Sequence, residues 1–226
     1  MGDESNTSRN SHNLGLKVHA ILTREGIETP GITQVPINAQ DVYDAVGESY
    51  ERILDTLGLD DRDDSLQGTP GRIAKMYSGE IFYGLDYRNF PSATAVDNKM
   101  QYDEMVHCKA TVMSVCEHHF VPFVGTAYVA YIPGVKVIGL SKINRIVDFF
   151  SRRPQVQERL TVQIAAALKY ILETEDVAVV IKAEHFCVKL RGIKDQNSGT
   201  TTSKMGGKFM IVPECRNEFL ALTRDS

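Results

Sequence analysis

Cysteine is scarce in this chain, with four in 226 residues. That excludes the dense disulfide scaffold of a small secreted domain. In a reducing compartment the thiols read as metal ligands, catalytic groups or inert buried side chains. Long apolar runs are missing as well, so no segment reads as a membrane-spanning helix. The opening residues Met1-Gly2-Asp3-Glu4-Ser5-Asn6 lack the basic start and apolar stretch of a signal peptide, which predicts a cytoplasmic protein without a membrane partner. An excess of positive charge is also absent. The net charge of -4 provides no overall attraction to nucleic acid, so any polyanion must be held by a local cluster of Lys and Arg. What remains, 42% hydrophobic and 24% charged residues, is the composition of a soluble globular protein.

Three stretches differ in pattern. Residues 1–37 are rich in Ser, Asn, Gly, Thr and charge, with an apolar patch only around Leu14 to Leu22, and are expected to form a mobile arm without chemistry. Residues 38–100 read as a helical region. Val42, Val46, Tyr50, Ile53, Leu54 and Leu57 recur at the three-and-four spacing of a core-facing helix that Gly58 closes. Thr69-Pro70 then opens a shorter helix through Ile73, Met76, Tyr77, Ile81 and Phe82. Residues 101–226 are expected to be the catalytic domain. Strands are predicted over 105–116, 121–132 and 135–140, and again over 177–190 and 208–212. Between them lie two helices, one with the stripe Ile143, Ile146, Val147 and Phe150, the other starting at Pro154 with Val156, Leu160, Ile164, Leu168 and Ile171. This order predicts an α+β fold, an antiparallel sheet with two helices packed on one face.

The chemistry gathers at strand ends. Cys116-Glu117-His118-His119 and, later, His185-Phe186-Cys187 supply thiols and imidazoles at spacings a zinc ion can use. Strand alternation would point His185, Cys187, Lys189 and Arg191 the same way, and a tight turn at Glu117-His118 would return His119 beside Cys116. Cys116, His119 and Cys187 are the predicted ligands. Three ligands leave a tetrahedral ion one position short, the arrangement of a catalytic zinc, and free His118 and His185 for proton transfer. A closed structural zinc site stays open as an alternative, with His107, Cys108, Cys215 or a spare histidine as fourth ligand, as does a site without metal. Glu117 reads as a solvated turn residue. Ser141-Lys142-Ile143-Asn144-Arg145 opens a helix, where backbone N–H groups, Lys142 and Arg145 together favour a phosphate, and Arg191 adds a further charge. Gln157 and Glu158 fall in the first turn after Pro154, where an acid is also explained by the helix dipole. Thr200, Thr201 and Thr202 read as a polar loop.

Taken together, Cys116-Glu117-His118-His119, Gly139 to Arg145, Arg153 to Leu160 and His185 to Gly192 closely resemble the motifs of zinc-dependent GTP cyclohydrolase I, in the same order. The resemblance runs from residue 38 to the C-terminus. It implies a tunnelling fold, in which sheets of several subunits join into a barrel, and a toroidal homodecamer with sites shared between neighbours. It further implies a hydrolase that converts GTP and water to formate and 7,8-dihydroneopterin triphosphate, the entry to tetrahydrofolate-type pterins and one-carbon metabolism. Carried over, Cys116, His119 and Cys187 match the zinc ligands, His185 the acid that protonates the purine, and His118 a second proton-transfer group. Glu158, with Gln157 beside it, matches the guanine anchor. Ser141 and Lys142 match catalytic residues near the ribose and phosphates. Lys142, Arg145 and Arg191, joined by Arg72 and Lys75 from a neighbouring subunit, match the triphosphate contacts. Two other classes stay open: a reductase of the same fold with a cysteine nucleophile and no zinc, and a zinc-stabilised assembly protein without activity.

Overall fold

The structure, a computed structural model, describes residues 2–31 and 38–224. Helices lead the chain. They are α1 (Gly2–Arg24), α2 (Ala39–Leu57) and α3 (Thr69–Lys75), the last running into a π-turn over Met76–Ile81. Then follow β1 (Ala95–Asp97), β2 (Val106–Cys116), β3 (Pro122–Tyr131), β4 (Lys136–Ile138), α4 (Leu140–Ser151), β5 (Pro154–Gln155), α5 (Gln157–Leu172), β6 (Val177–His185), α6 (Phe186–Lys189), β7 (Thr200–Met205), α7 (Lys208–Ile211) and α8 (Pro213–Leu222). The fold is α+β.

Five strands form the main sheet in the order β5-β2-β3-β6-β7, antiparallel except for the short β2–β5 pair. Alternation along the strands supplies two apolar faces. Ala127, Val129, Tyr131, Val179 and Ile181 face the main core, which Ile143, Ile146 and Phe150 of α4 and Leu160, Ile164 and Leu168 of α5 complete. The intervening Tyr128, Ala130, Ala178 and Val180 meet Phe209 and Phe219 of the C-terminal helices on the opposite face. The sheet is thus covered on both sides, rather than by two helices alone. Gly125 lets β3 and β6 approach closely, since a Cβ there would collide with the Lys182 carbonyl and with Ala183.

Several expectations need correction. The arm expected over 1–37 contains α1, whose Val18 and Leu22 are fully buried in the main core; residues 1 and 32–37 lie outside the described residues. The face of α2 is not core-facing along its length: Leu54 is buried, yet Ile53 is 44% and Leu57 67% exposed. β6 stops at His185, because its partner β3 begins at Pro122, which has no N–H to extend the ladder. The chain turns there into α6, so the alternation assumed for Cys187, Lys189 and Arg191 does not exist. The Thr200–Thr202 loop is the start of β7, an edge strand whose half-exposed side chains conceal its pairing with β6. Lys208–Ile211 is helical rather than extended. Gly207 has φ 48, which breaks the strand, and Asp176 Oδ1 accepts the Lys208 N–H at 2.7 Å.

Candidate metal centre and active site

Cys116 is the last residue of β2, and its position is fixed by backbone pairing on every side. Its N–H donates to Val121 O at 2.9 Å, its carbonyl accepts from Phe120 N–H at 2.9 Å, and it stands in parallel register with Gln155. Phe120 at φ 53 closes the turn that returns His119 to Cys116. Cys187 reaches the same place from α6. One donor atom of each of Cys116, His119 and Cys187 lies within 4.8 Å of the others.

The donor set fits a zinc ion. Burial, and then the hydrogen bond with the Cys116 thiol, pushes the Cys187 thiol pKa up, with Arg191 opposing. A cation beside it would favour the Cys187 thiolate, and two cysteine sulfurs with an imidazole are soft and borderline ligands suited to zinc. The suggested fourth ligands stand apart. Cys108 is buried in the main core, Cys215 packs with the opposite cluster, and among the described residues the group holds three members.

His185 is held by a network that fixes which group donates at each contact. Gln157 is buried, and its Nε2 faces Ile181 O at 3.0 Å, Thr200 O at 3.1 Å and Thr202 Oγ1 at 3.1 Å. Thr161 Oγ1 donates to the Gln157 backbone oxygen at 2.8 Å, so Thr202 must donate in the 2.6 Å Thr161–Thr202 contact and can only accept from the Gln157 side chain. The Gln157 side-chain oxygen Oε1 is then the atom 2.8 Å from His185 Nε2, which requires an N–H there and leaves Nδ1 as the ring's other exchangeable site. Gln157, expected beside Glu158 as a guanine contact, therefore has no side-chain donor left for a ligand. Phe123 stacks on the His185 ring at 4.6 Å and 8°, a partner that strand alternation alone did not single out. Burial lowers the His185 pKa, while the Glu158 carboxylate opposes the shift. A ring so placed is the stronger acid once protonated.

Glu117 is not a solvated turn residue. It accepts two hydrogen bonds from Arg159, at 2.6 and 3.1 Å, tying the metal turn to the first turn of α5 next to Glu158. Arg159 holds the Glu117 carboxyl below its usual range. Tyr77 and Phe82 pack their rings against Phe120 from the other side of that turn. His118 and Glu158 are exposed, as are Ser141 and Arg145 at the start of α4, with Lys142 half-buried beside them. Arg191 Nη1 donates to His119 Nε2 at 2.7 Å, which occupies the one lone pair of a neutral imidazole, so this contact must give way for His119 to bind a metal. Arg72 is folded back on Gln67 O and Thr69 Oγ1, at 2.9 and 2.7 Å, and Lys75 is exposed on the same helix. One chain thus gathers Cys116, His118, His119, Glu158, His185, Cys187 and Arg191 around one strand end, and leaves Arg72 and Lys75 turned to other contacts or to solvent.

Residues 46–224 match the family described as GTP cyclohydrolase I. The chain belongs to this family. It is 56% identical over 206 residues to GTP cyclohydrolase 1 of Aeromonas salmonicida, covering 91% of this chain and 94% of that protein. GTP cyclohydrolase 1 of Shewanella putrefaciens is 53% identical over 206 residues, covering 91% and 96%. Among solved structures, the archaeosine synthase QueF-Like in its apo form has a TM-score of 0.38 and 20% identity over 44% of this chain and 90% of that chain, too loose a likeness to bear on the chemistry. The region matched to GTP cyclohydrolase I contains Cys116, His119 and Cys187 as well as His185 and Glu158, and leaves out α1 and the turn after it.

Proposed function

We propose that the chain opens the guanine imidazole ring of GTP by hydrolysis at the site built on Cys116, His119 and Cys187, releasing formate and forming 7,8-dihydroneopterin triphosphate. That it is an enzyme of the GTP cyclohydrolase type follows from its family. The observation that carries the proposed chemistry is the convergence of these three side chains with His185, a ring whose position and tautomer the fold has fixed. Cys116, His119 and Cys187 would hold zinc, which supplies Lewis-acid activation of water for attack at C8 when bound.

The rest falls to the chain's own groups. His185 delivers a proton to the purine from Nδ1, since Nε2 is committed to Gln157. His118, exposed on the metal turn, exchanges a second proton with the attacking water or the leaving formamide nitrogen. Glu158, with its carboxylate unpaired among the described residues, accepts the guanine amino and ring N–H groups. Lys142 and Arg145 likewise lack ion-pair partners among the described residues and stand ready for a polyanion, with Arg191 a side-chain rotation away. Ser141 and Lys142 then serve the later sugar rearrangement and ring closure.

An oligomer with shared sites, of the tunnelling-fold kind and expected as a toroidal decamer, agrees with three features. The metal cluster lies on an open ledge, since His118, His119 and Glu158 are all exposed. Arg72 is bonded to Gln67 O and Thr69 Oγ1 rather than to a residue of the ledge. Among the described residues the outer edge of β7 is unpaired, and Ile53, Leu57, Met210 and Ile211 are exposed, which in an isolated chain would invite association. A cytoplasmic location fits the absence of any described helix long and apolar enough to cross a membrane, without being required by it.

The test is direct. Purified protein given GTP should release formate, lose that activity on treatment with a chelator and regain it with zinc. Full turnover by protein shown to contain no divalent metal would sink the metal-assisted reading. Glu158→Ala should raise KM for GTP while the metal content stays unchanged, and an unaltered KM would remove Glu158 from the guanine site.

A further inference from the structure

The largest fully buried side chain is a charged one. Arg153 is 0% exposed, and its guanidinium lies 5.2, 4.8 and 5.1 Å from the ring centres of Tyr87, Phe149 and Phe150. Among the described residues its only ion-pair partner is Glu28, with Nη1 to Oε1 at 3.3 Å, and its Nε and Nη2 have no partner. A guanidinium among aromatic rings tolerates burial only while a counter-charge stays close. That counter-charge comes from the turn after α1, outside residues 46–224.

Glu28 is the hub of a dense set of contacts. Its Oε2 meets His19 Nδ1 at 2.9 Å and accepts from the Tyr87 hydroxyl at 2.5 Å, while Oε1 accepts the Thr29 N–H at 2.7 Å. Gln163 Nε2 donates to Ile27 O at 2.9 Å and approaches Glu28 Oε1 at 3.4 Å, and its own oxygen accepts from Gln155 Nε2 at 2.7 Å. Arg153 and Gln155 therefore both answer to the Glu28 turn. They begin the short segment that also carries the site. Gln155 O accepts the Glu117 N–H at 3.0 Å and stands in register with Cys116; Gln157 holds His185; Glu158 follows.

We propose that Glu28 is a positioning residue for the active site: by neutralising Arg153 it sets where the segment 153–158 lies against the metal strand, and with it Gln157 and Glu158. The inference rests on the roles given above to His185 and Glu158. The candidate metal ligands sit on β2, its turn and α6; the segment touches that strand end through the Glu117 N–H to Gln155 O bond, while Cys116 keeps its own bonds to Val121 and Phe120.

The experiment compares Glu28→Gln, which keeps the shape and removes the charge, with the parent protein as full-length, zinc-loaded enzyme. Per folded and metal-loaded chain, kcat/KM for GTP should fall about tenfold to a hundredfold, since small misplacements of reacting groups have effects of that order. Metal content should stay as in the parent. A purely structural role would lower Tm and the yield of folded protein and leave kcat and KM per folded site unchanged, and that result overturns the proposal. The paired variant Glu28→Gln with Arg153→Met, which removes both members of the ion pair and keeps an amide oxygen for the Thr29 N–H or the Tyr87 hydroxyl, should recover most of the lost kcat/KM. A pair no better than Glu28→Gln would mean that Glu28 does not act through Arg153. If Glu28→Gln does not fold, Glu28→Asp keeps the charge and withdraws it by one methylene: a lowered kcat/KM supports positioning, and a parental value rejects it. An unchanged KM in Glu158→Ala would sink the guanine reading separately, because Glu28 would still be read through Gln157 and kcat.

Discussion

Cys187→Ser should yield a folded protein that neither retains zinc nor releases formate from GTP above background. A serine hydroxyl stays protonated where a thiol can ionise, and it is a harder donor, so it replaces neither the charge nor the softness of the sulfur. The loss should fall on the metal first. Cys187 lies on the one-turn helix α6, partly exposed and outside the strand ladder, whereas Cys116 is buried at the end of β2 and hydrogen-bonded through both backbone groups. Serine at 187 therefore removes a ligand with little damage to packing, and Tm of the metal-free proteins should be nearly the same for variant and parent. Metal analysis after gel filtration decides the matter. A variant that keeps one zinc per chain would show that Cys187 is not a ligand; a variant that loses zinc yet turns over GTP would separate the ion from the reaction. His118→Ala is the control, because an exposed residue outside the ligand group should leave zinc in place while turnover is lost.

The cluster of Cys116, His119 and Cys187 was legible in the sequence because cysteine and histidine are rare and their positions do not need a correct fold to be noticed. The path by which they meet was not. Alternation across 185–191 would have put Cys187 on the face of His185, yet Pro122 ends the ladder and a helical turn delivers the thiol instead. Periodicity found α4 and α5 readily, since both bury a full stripe beneath the sheet. The same rule misjudged α2, whose stripe is as regular but finds no sheet in its own chain, as the 67% exposure of Leu57 records. β7 escaped because Thr-rich edge strands carry no apolar alternation. Polar partnerships escaped for a simpler reason. Arg153 and Glu28 are 125 positions apart, and no local pattern announces a contact at that range. Gln157 looked like a ligand contact because it precedes Glu158 on the chain, although helical geometry turns the two side chains to different faces, one into the core and one to solvent.

His185→Ala should keep zinc and lose turnover, by about a hundredfold to ten-thousandfold in kcat, the range general acid catalysis contributes. The division between binding and chemistry is what the geometry demands. The ring touches Gln157 and Phe123, and removing it deletes neither a metal ligand nor Glu158, so KM for GTP should change much less than kcat. Its deletion does strand the Gln157 carbonyl oxygen, now without a donor in a buried place, and part of any stability loss will come from there. His185→Asn tests that point, since an amide N–H can return a donor toward Gln157 without offering a group that exchanges protons near neutrality. Stability should recover in His185→Asn while kcat does not. If kcat recovered with stability, the ring would be a packing element and the proton delivered to the purine would have to come from His118. If kcat stayed low in both variants with zinc bound, the loss would belong to the proton that Nδ1 carries, the one site on this ring that the Gln157 network leaves free.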